Sequence, residues 1–243
     1  LVGSEMCIRD RPTRAEHVKL LIPLLEKNRD EIAQLYVKEQ GKTLTQAYGE
    51  IDKSISFIDY MTSLSMSDKG RVLQNSIANE TIQIINKPIG VTAGIVPWNA
   101  PILVLMRKVI PAIVTGCSVV IKPSEETTLL TLRLAELFRA STIPAGLIQI
   151  VPGTGETVGT QLASHKDIQL ISLTGSMRAG KSVYENAAQT VKKVNLELGG
   201  NAPVIVTSNA DLDKAVDYIV TARINNAGQV CTCPERILSL IHI

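Results

Sequence analysis

Between residues 13 and 40 the apolar positions Val18, Leu21, Ile22, Leu25, Ile32 and Leu35 recur at helical spacing, and Gly41 follows as a stop. A second helix is predicted from Thr43 to about Met66. The pattern then changes over residues 71–87, where Thr81, Ile82, Gln83, Ile84 and Ile85 read as strand and Asn75 or Asn79 can turn the chain. A protruding hairpin is expected there. From Pro88 onward the alternation becomes regular, with strand-like runs at 91–96, 118–121, 147–151, 168–173, 194–198 and 203–206. Helical stretches at 102–114, 127–139, 157–164, 179–189 and 212–225 lie between and after them. Such alternation predicts the α/β class, with an open parallel sheet covered by helices on both faces.

Residues 88–106 carry no charge and are close to the roughly 20 residues that cross a bilayer. Pro88, Pro97 and Pro101, with Asn99 between the last two, fit a buried strand and loop better than a membrane helix. No basic-then-apolar leader opens the chain, and no membrane partner is expected. Residues 1–11 lack periodicity and residues 238–243 follow without a turn signal, so both ends are expected to be non-native flanks.

The chain has 243 residues, 45% hydrophobic and 20% charged, enough to bury a sizeable core, which excludes disorder for most of it. A net charge of +2 without charge blocks, and only 3% aromatics, give no face for nucleic acid. Four cysteines at irregular spacing do not form a secreted disulfide framework, so a reducing, cytoplasmic setting is expected. His17 and His165 show no zinc-like spacing to the cysteines, and no metal site is expected.

Open parallel sheets bind ligands beyond the carboxyl ends of their strands, where this chain is polar and glycine-rich. Gly153, Gly155 and Gly159 form GxGxxxG, one residue longer than a dinucleotide fingerprint, and serve equally well as an ordinary turn. Thr174-Gly175-Ser176 fits either a phosphate cradle or a helix N-cap. Lys122 and Glu125 could hold ribose hydroxyls, or could be a solvated surface pair. Cys231 in Gly228-Gln229-Val230-Cys231-Thr232-Cys233 is a nucleophile or a small structural residue.

Pro97-Trp98-Asn99-Ala100-Pro101, Lys122-Pro123-Ser124-Glu125, Leu173-Thr174-Gly175-Ser176, Leu196-Glu197-Leu198-Gly199-Gly200 and Gly228-Gln229-Val230-Cys231, in this order and spacing, resemble the aldehyde dehydrogenase superfamily. The resemblance covers roughly residues 13–237 and implies a truncated, Rossmann-like fold. It divides the chain into a dinucleotide-binding domain at 13–200, interrupted by an oligomerisation hairpin near 71–87, and the start of a catalytic domain at 201–237. It also implies an NAD-dependent oxidation of a small aldehyde, NAD being favoured over NADP, and a homo-oligomer for the full-length enzyme.

Carried over by resemblance, Cys231 is the nucleophile, Asn99 with the Cys231 backbone N–H holds the oxyanion, Glu197 activates the hydrolytic water and Lys108 supports that proton transfer. Val96, Pro97, Trp98, Lys122, Ser124, Glu125, Gly155, Gly159, Thr174, Gly175, Ser176, Leu198 and Gly199 correspond to cofactor-lining positions, with Glu125 favouring NAD and Ser176 at the pyrophosphate. Ala100, Leu173 and Asn201 depart from the residues common at those places. The Cys-Thr-Cys-Pro-Glu-Arg ending and residues 193–206 are similar to the lactaldehyde and glycolaldehyde branch. Rival readings are a CoA-acylating aldehyde dehydrogenase, against which Glu197 argues, a cysteine hydrolase, and a non-catalytic dinucleotide-binding fragment.

Overall fold

The computed structural model describes residues 10–67, 70–74 and 80–242. The first periodic segment is three helices rather than one: α1 (Arg11–Lys19), α2 (Leu21–Lys27) and α3 (Arg29–Gln40). Pro23 has no N–H to return to the Lys19 carbonyl, so the first helix stops there. The Asn28 side chain then donates to the Leu24 carbonyl at 2.7 Å, closing α2 before α3 begins. Gly41 takes the left-handed conformation, φ 79°, that ends α3. The Thr43 hydroxyl accepts from the Gln46 N–H and starts α4 (Leu44–Ser65).

The hairpin forms from β1 (Arg71–Gln74) and β2 (Thr81–Ile84), antiparallel with Arg71 opposite Ile84. Every residue of both strands is exposed, including Val72 and Ile82. Asn75 and Asn79 lie outside the described residues, as do residues 1–9.

Among the described residues five strands make the main sheet: β3 (Val91–Ile95), β4 (Ser118–Lys122), β5 (Ile148–Ile150), β6 (Ile168–Gly175) and β7 (Lys193–Leu198). All pairs are parallel and the order is β5-β4-β3-β6-β7. The connecting helices are α5 (Pro101–Val114), α6 (Thr128–Ala140), α7 (Thr160–Ser164) and α8 (Met177–Ala188). On one face α5 and α6 pack with the N-terminal helices around Leu21, Ile51, Ile58, Leu105 and Ile110. On the other, α7 and α8 cover the sheet, with Val183 and Ala187 of α8 in one apolar cluster with Ala93 and Ile171. The uncharged run 88–106 is thus a central strand and the start of a buried helix. Among the described residues no helix is long and apolar enough to cross a membrane.

The expected sixth strand does not join this sheet. β8 (Pro203–Ile205) pairs in parallel with β9 (Arg236–Leu238), Ile205 standing opposite Leu238, with α9 (Leu212–Ile224) between them. Only four residues separate β7 from β8, and a parallel neighbour needs a crossover of about a dozen. From β3 the chain runs outward through β4 to β5, then returns to β6 on the other side of β3. This reversal opens a crevice at the carboxyl ends of β3 and β6.

Candidate active site

The crevice continues into one cleft of about 2030 Å³, and every residue singled out from the sequence as catalytic or cofactor-lining borders it. At its β4 end Lys122 is buried, and the alternative of a solvated surface pair does not hold for it. Its Nζ donates to the Pro123 carbonyl at 2.7 Å and pairs with Glu125 Oε2 at 3.2 Å. Glu125 Oε1 accepts the Gly155 N–H at 2.9 Å, so this carboxylate ties β4 to the glycine turn. Burial pushes the Glu125 carboxyl up, but hydrogen bonds from its own backbone N–H, from Lys122 and from Gly155 outweigh it and leave the group below its ordinary range. Ser124 Oγ accepts from the Glu126 N–H and starts a short 3₁₀ turn.

Residues Gly155–Gly159 form a single π turn, begun by the Thr154 hydroxyl accepting from the Thr157 N–H at 3.2 Å. A Cβ at Gly155 would meet nothing within 4 Å, so this turn offers bare backbone to open space. Val96 is buried and its N–H donates to the Lys122 carbonyl at 3.0 Å, which leaves Pro97 and the half-exposed Trp98 on the rim. Thr174 and Gly175 end β6, and Ser176 Oγ accepts from the Ala179 N–H at 3.2 Å, making it the N-cap of α8. Leu198 packs on α8 at Gly180, where a Cβ would come within 2.6 Å of its Cδ2, and Gly199 follows.

Opposite these, Asn99 Nδ2 donates to the Gln229 carbonyl at 2.8 Å. An amide nitrogen has two hydrogens, so one donor of Asn99 is left over. Asn226 Nδ2 bridges the same two segments, donating to the Asn99 and Gln229 carbonyls at 3.2 Å each. Asn226, Ala227 and Gly228 are consecutively left-handed, with φ of 50°, 55° and 78°, a costly backbone that presents Cys231 on the turn just beyond. Of the two nearby cysteines only Cys231 is exposed. Cys233 is buried, its thiol 3.4 Å from the Arg223 carbonyl it donates to, with the Arg223 guanidinium 3.0 Å away. The two cysteines of this motif thus differ in exposure, Cys231 facing the cleft and Cys233 packed away from solvent.

Glu197 stands at the end of β7 opposite Thr174. Two residues earlier on the same faces Ser172 stands opposite Asn195. Ser172 Oγ accepts from Lys108 Nζ at 2.9 Å and from Asn195 Nδ2 at 3.1 Å. Burial lowers Lys108 to about 8, opposed by the charge of Glu197. Its stem reaches the sheet because β3 has Gly94 beneath it: a Cβ there would lie 2.9 Å from Lys108 Cδ and 2.6 Å from Ile121 Cδ1.

Ser172 and Asn195 were not singled out from the sequence, although polar residues inside the strand runs IQLISLTG and KVNLELG are a usable signal. Lys42 and Glu50, which also border the cleft, were missed too, because they lie on the N-terminal helical segment. Among the described residues no cluster of three His, Cys, Asp or Glu could hold a metal ion.

The aldehyde dehydrogenase family model matches residues 6–242. Succinate-semialdehyde dehydrogenase [NADP(+)] of Escherichia coli is 40% identical over 224 residues, 92% of this chain and 46% of the relative. Lactaldehyde dehydrogenase of the same organism is 39% identical, covering 92% of this chain and 47% of that protein. The solved structure of 3,6-anhydro-L-galactose dehydrogenase in complex with NAP superposes with a TM-score of 0.93 at 40% identity, covering 98% of this chain and 50% of that one. Motifs, fold and matches agree that the chain belongs to the aldehyde dehydrogenase family, spanning about half the length of the curated relatives it matches.

Proposed function

We propose that the protein oxidises a small aldehyde to the carboxylic acid through a covalent intermediate on Cys231. The observation that carries this reading is the tie between Asn99 and the Cys231 turn, set across one cleft from Glu197 and Lys108. The Cys231 thiolate adds to the aldehyde carbon, forming a C–S bond and placing negative charge on the former carbonyl oxygen. The remaining Asn99 N–H and the Cys231 backbone N–H receive that charge, each donor contributing about 2.7–4 kcal/mol in sites of this kind. A nicotinamide dinucleotide, when bound, supplies the acceptor for the hydride that leaves this carbon. Glu197 then takes a proton from water, which attacks the thioester; the C–S bond breaks and the acid departs. Lys108, joined to Ser172, serves this proton transfer.

The residues present fit a dinucleotide. Gly155 leaves open backbone, the first amides of α8 have no intrahelical acceptors, and the crevice lies at the reversal of strand order. Lys122 and Glu125 would hold the adenosine ribose, Ser176 and the start of α8 the pyrophosphate, with Thr174, Gly175, Leu198 and Gly199 toward the nicotinamide. The Glu125 carboxylate favours NAD, since it would repel a 2′-phosphate. We read residues 13–200 as the dinucleotide-binding domain and 201–237 as the start of the catalytic one. The exposed hairpin would serve homo-oligomerisation in the full-length enzyme, which is proposed to be cytoplasmic. Lactaldehyde and glycolaldehyde are the substrates proposed first, with succinate semialdehyde as the comparison.

The test is dinucleotide reduction by the full-length enzyme with these three aldehydes, with and without CoA. Reduction without CoA supports the hydrolytic reading. Reduction only with CoA would replace it by the acylating one, and cofactor binding without reduction by the non-catalytic one.

A further inference from the structure

At the border of the cleft lies a buried charged cluster that the proposed chemistry does not use. Tyr36 comes from α3, Lys42 from the loop after it and Glu50 from α4; the side chains of Lys42 and Glu50 are only 4% and 7% exposed. Removing an ion pair from water is costly, and an apolar group of similar volume is often as stable or more so. Stability is therefore a poor reason for this pair.

Its hydrogen bonds have a direction. Glu50 Oε2 accepts from Lys42 Nζ at 2.7 Å and from Tyr36 OH at 2.6 Å. Glu50 Oε1 accepts the N–H groups of Ile102 at 3.0 Å and Leu103 at 3.1 Å. These open α5, whose N-cap position, Ala100, has no side chain able to cap it, so Glu50 acts as the cap from another helix. Lys42 has three hydrogens: two go to Glu50 and Tyr36, and the third leaves the cluster for the Asn99 carbonyl at 3.2 Å. That carbonyl also accepts from Asn226. Asn99 is therefore held on three sides: at its carbonyl by Lys42, beyond its peptide by the helix start that Glu50 secures, and at its side chain by Gln229.

We propose that Lys42 and Glu50 are positioning residues that fix the direction of the Asn99 carboxamide relative to the Cys231 turn, with Tyr36 locking the pair. This rests on the reading of Asn99 as an oxyanion donor. A misdirected donor weakens an interaction made only in the transition state, so the loss should fall on kcat rather than on KM.

The experiment uses the full-length enzyme with Lys42→Met, Glu50→Gln and Tyr36→Phe, each alone and combined with Asn99→Ala. Lys42→Met and Glu50→Gln should lower kcat about 10- to 100-fold, the scale of a small misplacement. KM for aldehyde should change less than about twofold. Combined with Asn99→Ala, neither should cause its full separate loss, because both act through the same donor. Tyr36→Phe, which removes one hydroxyl, should show a smaller kcat loss with the same non-additivity, and decides the matter if the other variants do not fold. Unchanged kcat, or losses that multiply fully with that of Asn99→Ala, would overturn the proposal. A wild-type enzyme that reduces no dinucleotide with any aldehyde would instead overturn the function proposed above.

Discussion

Lys108 on α5 and Ser172 on β6 meet across the face of the sheet, the ammonium donating to the hydroxyl oxygen at 2.9 Å. Asn195 donates to that oxygen from the neighbouring strand, and Glu197 lies two residues further along the same face of β7. A lysine, a serine and an amide are thus stacked beneath the carboxylate proposed to activate water.

Burial lowers Lys108 from 10.5 to about 8 in the folded chain. Between these values the unfolded chain holds the extra proton, so this group makes stability rise with pH across that window. Relative to Lys108→Met, the wild-type chain should gain about 2 kcal/mol from pH 8 to pH 10 in urea denaturation. A constant difference between the two would refute the burial. Ser172→Ala removes the acceptor that favours the ammonium, and should move the Lys108 titration, followed by NMR, below about 8.

Gly94→Ala places a Cβ within 2.6 Å of Ile121 and 2.9 Å of the Lys108 stem. Overpacking of this kind costs about 1–3 kcal/mol. The loss should show in thermal or urea unfolding, accompanied by a shifted Lys108 titration. A neutral substitution would mean that α5 and the sheet are less closely packed than described.

Glu125 bridges Lys122 and the Gly155 N–H. Glu125→Gln removes the charge proposed to repel a 2′-phosphate, so the ratio of kcat/KM with NADP to that with NAD should rise about tenfold, a difference of roughly 1.4 kcal/mol. Parallel assays with both dinucleotides measure it. An unchanged ratio would place cofactor choice elsewhere in the cleft.

Cys231→Ala should abolish aldehyde oxidation while dinucleotide binding, measured by calorimetry, persists. Glu197→Gln should leave a rapid first turnover and slow those that follow, with thioester accumulating on the protein in mass spectra. Equal loss of the first turnover would assign Glu197 a different step.

Much of the sheet was legible in the sequence. Short apolar runs alternating with helical periodicity impose parallel strands, since each crossover helix must cover a sheet face, and the polar or glycine-rich residues after each run marked the rim of the cleft. Local chemistry was readable for the same reason: Gly41 ends its helix through a bond only a few residues long, whereas Thr43, read as the first helical residue, proved to be the cap of the next. Two expectations failed for want of geometry. One helix became three at Pro23 and Asn28, and 203–206 left the sheet because four residues cannot complete a parallel crossover.

What the tertiary structure alone decided is which distant groups meet. Lys42 and Asn99 are 57 residues apart, Lys108 and Ser172 are 64 apart, and Asn99 and Gln229 are 130 apart. No periodicity records such pairs: that of Lys108 and Ser172 depends on strand order and the space left by Gly94, and that of Asn99 and Gln229 on the left-handed turn at residues 226–228. The sequence by itself determined the elements and the rim of the cleft through local sterics and hydrophobic pattern. Burial and long-range hydrogen bonding, which exist only once those elements are packed, separated the exposed Cys231 from the buried Cys233 and put Lys42 and Glu50 behind Asn99.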